Sequence, residues 1–185
     1  MRKICIEKNN LCLLYTSLAD RALIYNMAVE DEQIRQYLFE DSYSLEEFLN
    51  ESDEDIFFSG KQSPNNYLLI EFYNDIVGTI SHAFNDARIK NMELDIWLRS
   101  TKFTGRQLGP RVISLLIDYL SQTYNIKTFL IRPSIKNIWA VRAYSKCGFR
   151  YITDFNASLY YTPEGLTLWG EGDYDHDTYN MILQL

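Results

Sequence analysis

The chain is poor in residues that cross-link or punctuate a fold: of 185 residues, 3 are cysteine, 4 proline, 8 glycine and 2 histidine. Cys5, Cys12 and Cys147 form no C-x-x-C pair, which excludes a disulfide framework and a cysteine zinc site and points to a reducing compartment. With so little proline and glycine there is no linker, and no repeat divides the chain. Residues 1–185 are expected to fold as one domain, large enough to bury a core. His82 and His176 stand alone and offer neither a metal site nor a nucleophile triad. No apolar run approaches the roughly 20 residues of a membrane helix. Glu7, Lys8, Asn9 and Asn10 interrupt the only stretch placed where a secretory leader would be, so a cytoplasmic location is expected.

What is present is strongly segregated charge. Residues 1–85 carry 6 Lys and Arg against 15 Asp and Glu, residues 86–150 carry 12 against 4, and residues 151–185 carry 0 against 6. The overall net charge of −7 argues against a general nucleic-acid binder, whose domain would be basic. A basic centre between acidic flanks suits an anionic ligand at the centre and a cationic one at the flanks.

Periodicity gives the element order. Leu11–Tyr15 reads as a first strand, followed by a helix through Leu23, Ile24, Met27 and Ala28 with Ser17 or Asp20 as its cap, and a second helix through Ile34, Tyr37 and Leu38. Ser44 with Glu47 predicts a capping box opening a short acidic helix. Tyr67–Tyr73 and Ile76–Phe84 read as a hairpin broken at Asn74-Asp75. In the strand Asn91–Leu98, Met92, Leu94, Ile96 and Leu98 point to one face and Glu93, Asp95 and Trp97 to the other. A helix over Val112–Leu120 with Pro110 in its first turn, a strand Thr128–Ile131 and a helix Ile135–Lys146 ended by Gly148 follow. The tail from Leu159 reads as strands around Gly165, Gly170 and Gly172, closing on YNMILQL. Most of the 27 aromatic residues belong to the core, with Tyr37, Tyr43 and Trp97 as candidates to line a cleft.

Two segments carry chemistry. FTGRQLGPR, residues 103–111, joins a strand to a helix N-terminus; its amides with Arg106 and Arg111 suit a pyrophosphate. In NIWAVRAYSKCGF, residues 137–149, Asn137, Ala140 and Tyr144 recur at i, i+3 and i+7 on one predicted helical face.

The pattern N-x-x-A-x-x-x-Y-x-K-x-G-F resembles the acetyl-coenzyme A signature of the GNAT superfamily of N-acetyltransferases. The strand–loop–helix–strand–helix order of residues 67–149 is similar too. Asp95-Ile96-Trp97-Leu98 and Arg132-Pro133-Ser134 resemble segments of the branch holding aminoglycoside 6′-N-acetyltransferases and siderophore-type acetyltransferases. The resemblance implies an α/β (α+β) fold: a mixed, mostly antiparallel sheet, flanked by helices and splayed after the fourth strand. It implies acetyl-CoA as co-substrate and no metal. Trp97, Leu98, Arg106, Gln107, Leu108, Gly109, Pro110, Arg111, Asn137, Ala140 and Tyr144 are then the candidate cofactor residues. The family loop Q/R-x-x-G-x-G/A fits either Thr104–Gly109 or Arg106–Arg111, each imperfectly. Arg132 stands where relatives with polycationic substrates often carry aspartate.

The implied reaction is direct attack of an amine on the thioester. Asp95 is the candidate base, with Glu93 in reserve, and Glu93, Asp95 and Trp97 are the candidate acceptor-binding residues. A main-chain N–H near Leu98, on a bulged strand, would polarise the thioester carbonyl. Tyr144 would protonate the departing sulfur. The expected acceptor is a small cationic amine, first an aminoglycoside 6′-amine, which would make the protein an antibiotic-resistance enzyme. The alternatives are a siderophore hydroxylamine, a diamine or a peptide amine, or a non-catalytic module that binds coenzyme A. No nucleic-acid or membrane partner is expected, and the chain is read as a monomer or homodimer.

Overall fold

A computed structural model of the protein describes residues 2–38, 43–51, 55–86, 90–163 and 178–185. It opens with a hairpin of Ile4–Lys8 (β1) and Leu11–Tyr15 (β2), turned at Asn9 and Asn10, whose φ of 53° and 61° are values asparagine tolerates. The predicted first strand is therefore the second. β1 is an edge strand with mostly exposed residues, so its composition carries little strand signal.

Three helices follow at the predicted places: Arg21–Glu30 (α1), Glu32–Leu38 (α2) and Leu45–Asn50 (α3). The Ser44 hydroxyl accepts the Glu47 N–H at 3.2 Å and the Glu47 carboxylate accepts the Ser44 N–H at 2.7 Å, completing the predicted box. Asn66–Phe72 (β3) and Asp75–Asp86 (β4) form the next hairpin. Its turn sits on Tyr73 and Asn74, at φ 52° and 64°, one residue earlier than the Asn74-Asp75 break. Asn91–Leu98 (β5) and Thr128–Ile131 (β6) keep their predicted bounds, and the helix between them, Leu108–Tyr124 (α4), is the crossover that makes them parallel. Ile138–Lys146 (α5), Arg150–Tyr151 (β7) and Met181–Gln184 (β8) complete the described elements. His176 and the strands expected around Gly165, Gly170 and Gly172 lie outside the described residues.

The sheet runs β1-β2-β3-β4-β5-β6-β8-β7, antiparallel except between β5 and β6. This is the mixed, helix-flanked sheet that was expected. Its two faces bury separate cores. On one, Leu68, Ile80, Met92 and Leu94 meet Val112, Ile113 and Leu116 of α4. On the other, Leu14, Leu69 and Trp97 meet Ile24, Met27 and Ala28 of α1 and Phe48 of α3. The alternation read from β5 is thus the division between two cores, each fully buried Leu or Ile contributing about 1.5–3 kcal/mol.

The site is positioned by where β5 and β6 part. Their pairing runs from Asn91↔Thr128 to Leu94↔Ile131. Beyond it β5 continues through Asp95 to Leu98, while β6 ends at Ile131 ahead of Arg132-Pro133. The gap opens after the fifth strand, not the fourth, because β1 adds one to the count. Gly78 supports the far side of β5: at φ +156° any Cβ there would sit 2.3 Å from the Trp97 carbonyl oxygen.

Candidate active site

A cavity of about 1440 Å³ occupies the gap, with Asp95 on its floor and Tyr144 of α5 on its wall. Solvent reaches Asp95 through the cleft, yet protein surrounds it. Loss of hydration first, and the Glu93 charge second, push its carboxyl up to about 6, against the pull of the Ile96 N–H. Tyr144 is buried; desolvation and then the nearby Asp95 charge raise its pKa, so its hydroxyl stays a proton donor.

Glu93 is a different carboxylate. Arg132 Nε donates to its Oε1 at 2.6 Å and Nη2 to its Oε2 at 3.2 Å, while the Tyr161 hydroxyl donates to Oε2 at 2.7 Å. The Arg132 side chain is only 6% exposed, so the pair is a largely desolvated, bidentate one. Trp97 packs into the α1-side core and donates its indole N–H to the Tyr67 hydroxyl at 3.1 Å.

β5 pairs in unbroken register with β4 from Met92 to Leu98, so the bulge expected near Leu98 is not in this strand. The nearest irregularity is on β4, between β3 partners Ile70 and Glu71, beside Gly78. Arg99 N–H reaches the Val77 carbonyl at 2.9 Å on β4. By strand alternation, the N–H groups of Leu98 and Ile96 turn the other way, into the gap. A main-chain donor near Leu98 therefore exists without a bulge.

The other half of the cavity is built from backbone. After β5 a short turn, Thr101–Phe103, leads through Gly105, at φ +72°, to Gln107, a left-handed N-cap at φ 60° for α4. Asp31, at the start of α2, holds this loop: its Oδ2 accepts the Thr101 N–H at 2.8 Å and the Ser100 and Thr101 hydroxyls, each at 3.0 Å. These bonds hold the Asp31 carboxyl below its ordinary pKa. Gly105, Gln107, Leu108, Gly109 and Pro110 face the cavity. Apart from the adjoining residues and helix backbone, no atom lies within 4 Å of where a Cβ on Gly105 or Gly109 would stand, which leaves room for an anion at the main chain there.

The structure does not bring the predicted arginines to this cradle. Arg106 is exposed outside the cavity lining, and Arg111 turns to the opposite edge, over the Phe72 ring at 5.1 Å with Nη2 donating to the Asn9 carbonyl at 3.3 Å. Among the described residues the cations that line the cavity are Arg132, paired with Glu93, and Arg142 and Lys146 of α5, beside Trp139. Sequence reasoning passed over the α5 pair, though Trp139, Arg142 and Lys146 recur at i, i+3 and i+7. Asn137 is not on the α5 face but is its N-cap, its Oδ1 accepting the Ala140 N–H at 3.1 Å. It still lines the cavity with Ala140 and Tyr144, as do Tyr37 and Tyr43. His82, the cross-strand partner of Leu94, shares that residue's face of the sheet, away from Asp95, and is buried and neutral, with its pKa lowered to about 4 by desolvation.

The sequence model of the acetyltransferase (GNAT) domain matches residues 10–150. The chain belongs to the GNAT acetyltransferases. No curated protein matches by sequence. Among solved structures, this GNAT domain is similar to RimL, a ribosomal alpha-N-protein acetyltransferase (TM-score 0.74, 17% identity, covering 100% of this chain and 96% of that one). It is similar also to aminoglycoside acetyltransferase AAC(6')-Ib with coenzyme A and kanamycin (0.68, 14%, 94% of each). A third is spermidine N-acetyltransferase from Vibrio cholerae with coenzyme A and spermine (0.68, 18%, 96% of each). At such identities the likeness is one of fold. Among the described residues no three His, Cys, Asp or Glu side chains converge as a metal site, and no helix is long and apolar enough to cross a membrane.

Proposed function

We propose that this acetyltransferase moves an acetyl group from acetyl-CoA to the primary amine of a small cationic acceptor. The observation that carries the reading is Asp95, a carboxyl raised to about 6, at the mouth of the β5–β6 gap with Tyr144 on the same cavity. The residues present suit the co-substrate: Gly105, Gln107, Leu108 and Gly109 offer unshielded backbone at a helix N-terminus for a pyrophosphate, and Asn137, Ala140 and Trp97 line the path beyond it. Bound there, acetyl-CoA supplies an acyl thioester.

This chain's own groups do the rest. Asp95 holds the acceptor ammonium and takes its proton, at a pKa close enough to neutrality to exchange it readily. The Leu98 N–H is aimed into the gap, where negative charge develops on oxygen. The Tyr144 hydroxyl, kept protonated by burial, delivers a proton to the leaving sulfur. An aminoglycoside 6′-amine is one member of this acceptor class.

The test is thiol release from acetyl-CoA across aminoglycosides, polyamines, hydroxylamines, peptide amines and simple primary amines, with Asp95→Asn as control. Turnover that Asp95→Asn abolishes while acetyl-CoA still binds supports the proposal. Cofactor binding with silence across the panel would instead favour a module that holds coenzyme A without transfer.

A further inference from the structure

We infer, resting on the reading that acetyl-CoA lies along the Gly105–Gly109 loop, that Asp31 is a positioning residue. It ties that loop to α2 on the acceptor side, so that binding the co-substrate sets the wall that receives the amine.

Asp31 is the single residue between α1 and α2, and its two carboxylate oxygens divide their work. Oδ1 accepts the Gln33 N–H at 3.1 Å and so caps α2. Oδ2 crosses to the turn 70 residues on, where it accepts the Thr101 N–H at 2.8 Å and the Ser100 and Thr101 hydroxyls at 3.0 Å each. Bonds to an ionised acceptor are about twice as strong as neutral ones, and here three converge on one oxygen. A weaker contact runs beside them, because Glu30 stands 3.9 Å from Arg99, whose guanidinium lies over the Phe103 ring at 5.6 Å.

The tie itself does not line the cavity, but both of its ends lead there. On one side the chain runs from Thr101 to Gly105 and Gln107 at the start of α4; on the other it runs from Asp31 to Gln33, Gln36 and Tyr37 of α2. α2 has no buried residue, and Ile34 and Leu38 are only partly buried against the α1-side core. Its place therefore depends on how its first residue is held as well as on packing. Ordering the loop around a pyrophosphate orders α2 through Asp31, and an acceptor arriving next meets a wall already set.

The experiment needs no acceptor. Purified protein is titrated with acetyl-CoA by calorimetry, and amide hydrogen exchange is followed by mass spectrometry with and without acetyl-CoA. In the wild type, acetyl-CoA is expected to slow exchange over residues 100–109 and also over residues 32–38. Asp31→Asn has one acceptor oxygen in place of two, so with α2 still capped it turns an amide NH2 toward the Ser100 and Thr101 donors. In that variant and in Asp31→Ala, protection is expected to stay within 100–109, and acetyl-CoA to bind about three- to tenfold more weakly. Ser44→Ala uncaps α3 as Asp31→Ala uncaps α2, and is expected to leave both readouts at their wild-type values. Protection of 32–38 that survives Asp31→Asn, unchanged affinity in both Asp31 variants, or the same losses in Ser44→Ala would each overturn the inference. Wild-type protein that binds acetyl-CoA without protecting 32–38 overturns it and leaves acetyl transfer standing; wild-type protein that does not bind acetyl-CoA overturns both.

Discussion

On the proposed cofactor side of the cleft, the cavity is lined by main chain and small side chains where α4 and α5 begin, with Trp139, Arg142 and Lys146 further along α5. On the acceptor side it is lined by long side chains drawn from α2, α3, β3, β5 and the turns between them. The first kind of surface depends on local geometry, a glycine at φ +72°, a left-handed cap and an asparagine N-cap, all set within a few residues. The second depends on which side chains remain after others have paired off. Charge shows the contrast best. Among the described residues that line the cavity, the α5 wall carries Arg142 and Lys146, while the carboxylates are Asp95, Glu51 and a Glu93 already neutralised by Arg132. A shared frame can therefore carry one co-substrate and different acceptors.

The most damaging change should strike both sides together. Gly78→Ala would place a Cβ 2.3 Å from the Trp97 carbonyl oxygen and 2.8 Å from Leu98 Cα. Backbone cannot yield as a side chain does, so a loss of about 3 kcal/mol or more, or failure to fold, is expected in thermal melts.

Next in size, Asp95→Asn should separate the sides, lowering kcat/KM about 10²- to 10³-fold while acetyl-CoA affinity holds in calorimetry. Wild-type kcat/KM should rise with pH through about 6, because the base works deprotonated. Stability should move oppositely. The folded pKa exceeds the ordinary 3.8, so the stability this group contributes is fully present below 3.8 and lost as pH rises through about 6. Asp95→Asn is therefore expected to melt higher than wild type at pH 8, with the difference vanishing near pH 4. Equal melting at both would show that the carboxyl is not perturbed.

A smaller effect tests which cations serve the co-substrate. Arg142→Ala and Lys146→Ala should each weaken acetyl-CoA binding about three- to fivefold at low salt, less at high salt. Arg106→Ala and Arg111→Ala should change it less than about twofold. The reverse ranking would restore the sequence-based assignment.

The smallest change sharpens the acceptor side. Arg132→Gln removes the cation paired with Glu93, and the ratio of spermidine to 2-phenylethylamine turnover should rise about threefold. An unchanged ratio would remove Arg132 from acceptor selection.

The sequence read well where the physics is local. The β5 alternation, the Ser44–Glu47 box, the Gly148 helix end and the bounds of β5 and β6 were all legible, because each rests on backbone periodicity or contacts within one or two turns. Asp95, Tyr144 and Trp97 were chosen from strand face and helix spacing together with the family resemblance, and the fold gathers all three on one cavity. The β1 strand and the Tyr73–Asn74 turn were missed for want of apolar contrast at an edge and of glycine at the turn.

Charge was where local reading failed. Glu93 and Asp95 are two residues apart on one strand face and look equivalent in sequence. Arg132, 39 residues on, and Tyr161, 68 residues on, make one a neutralised anchor and leave the other a carboxyl whose pKa is pushed up to about 6. Asp31 looked like part of an acidic wall until the turn at Thr101, 70 residues away, took its carboxylate. Sequence by itself determined most of the elements and their faces and singled out candidate residues, because backbone preference and side-chain period are local. Only the tertiary structure decided which charges survive and what surrounds them, since a charge's energy depends on its partners and its hydration, and both are set by residues far along the chain.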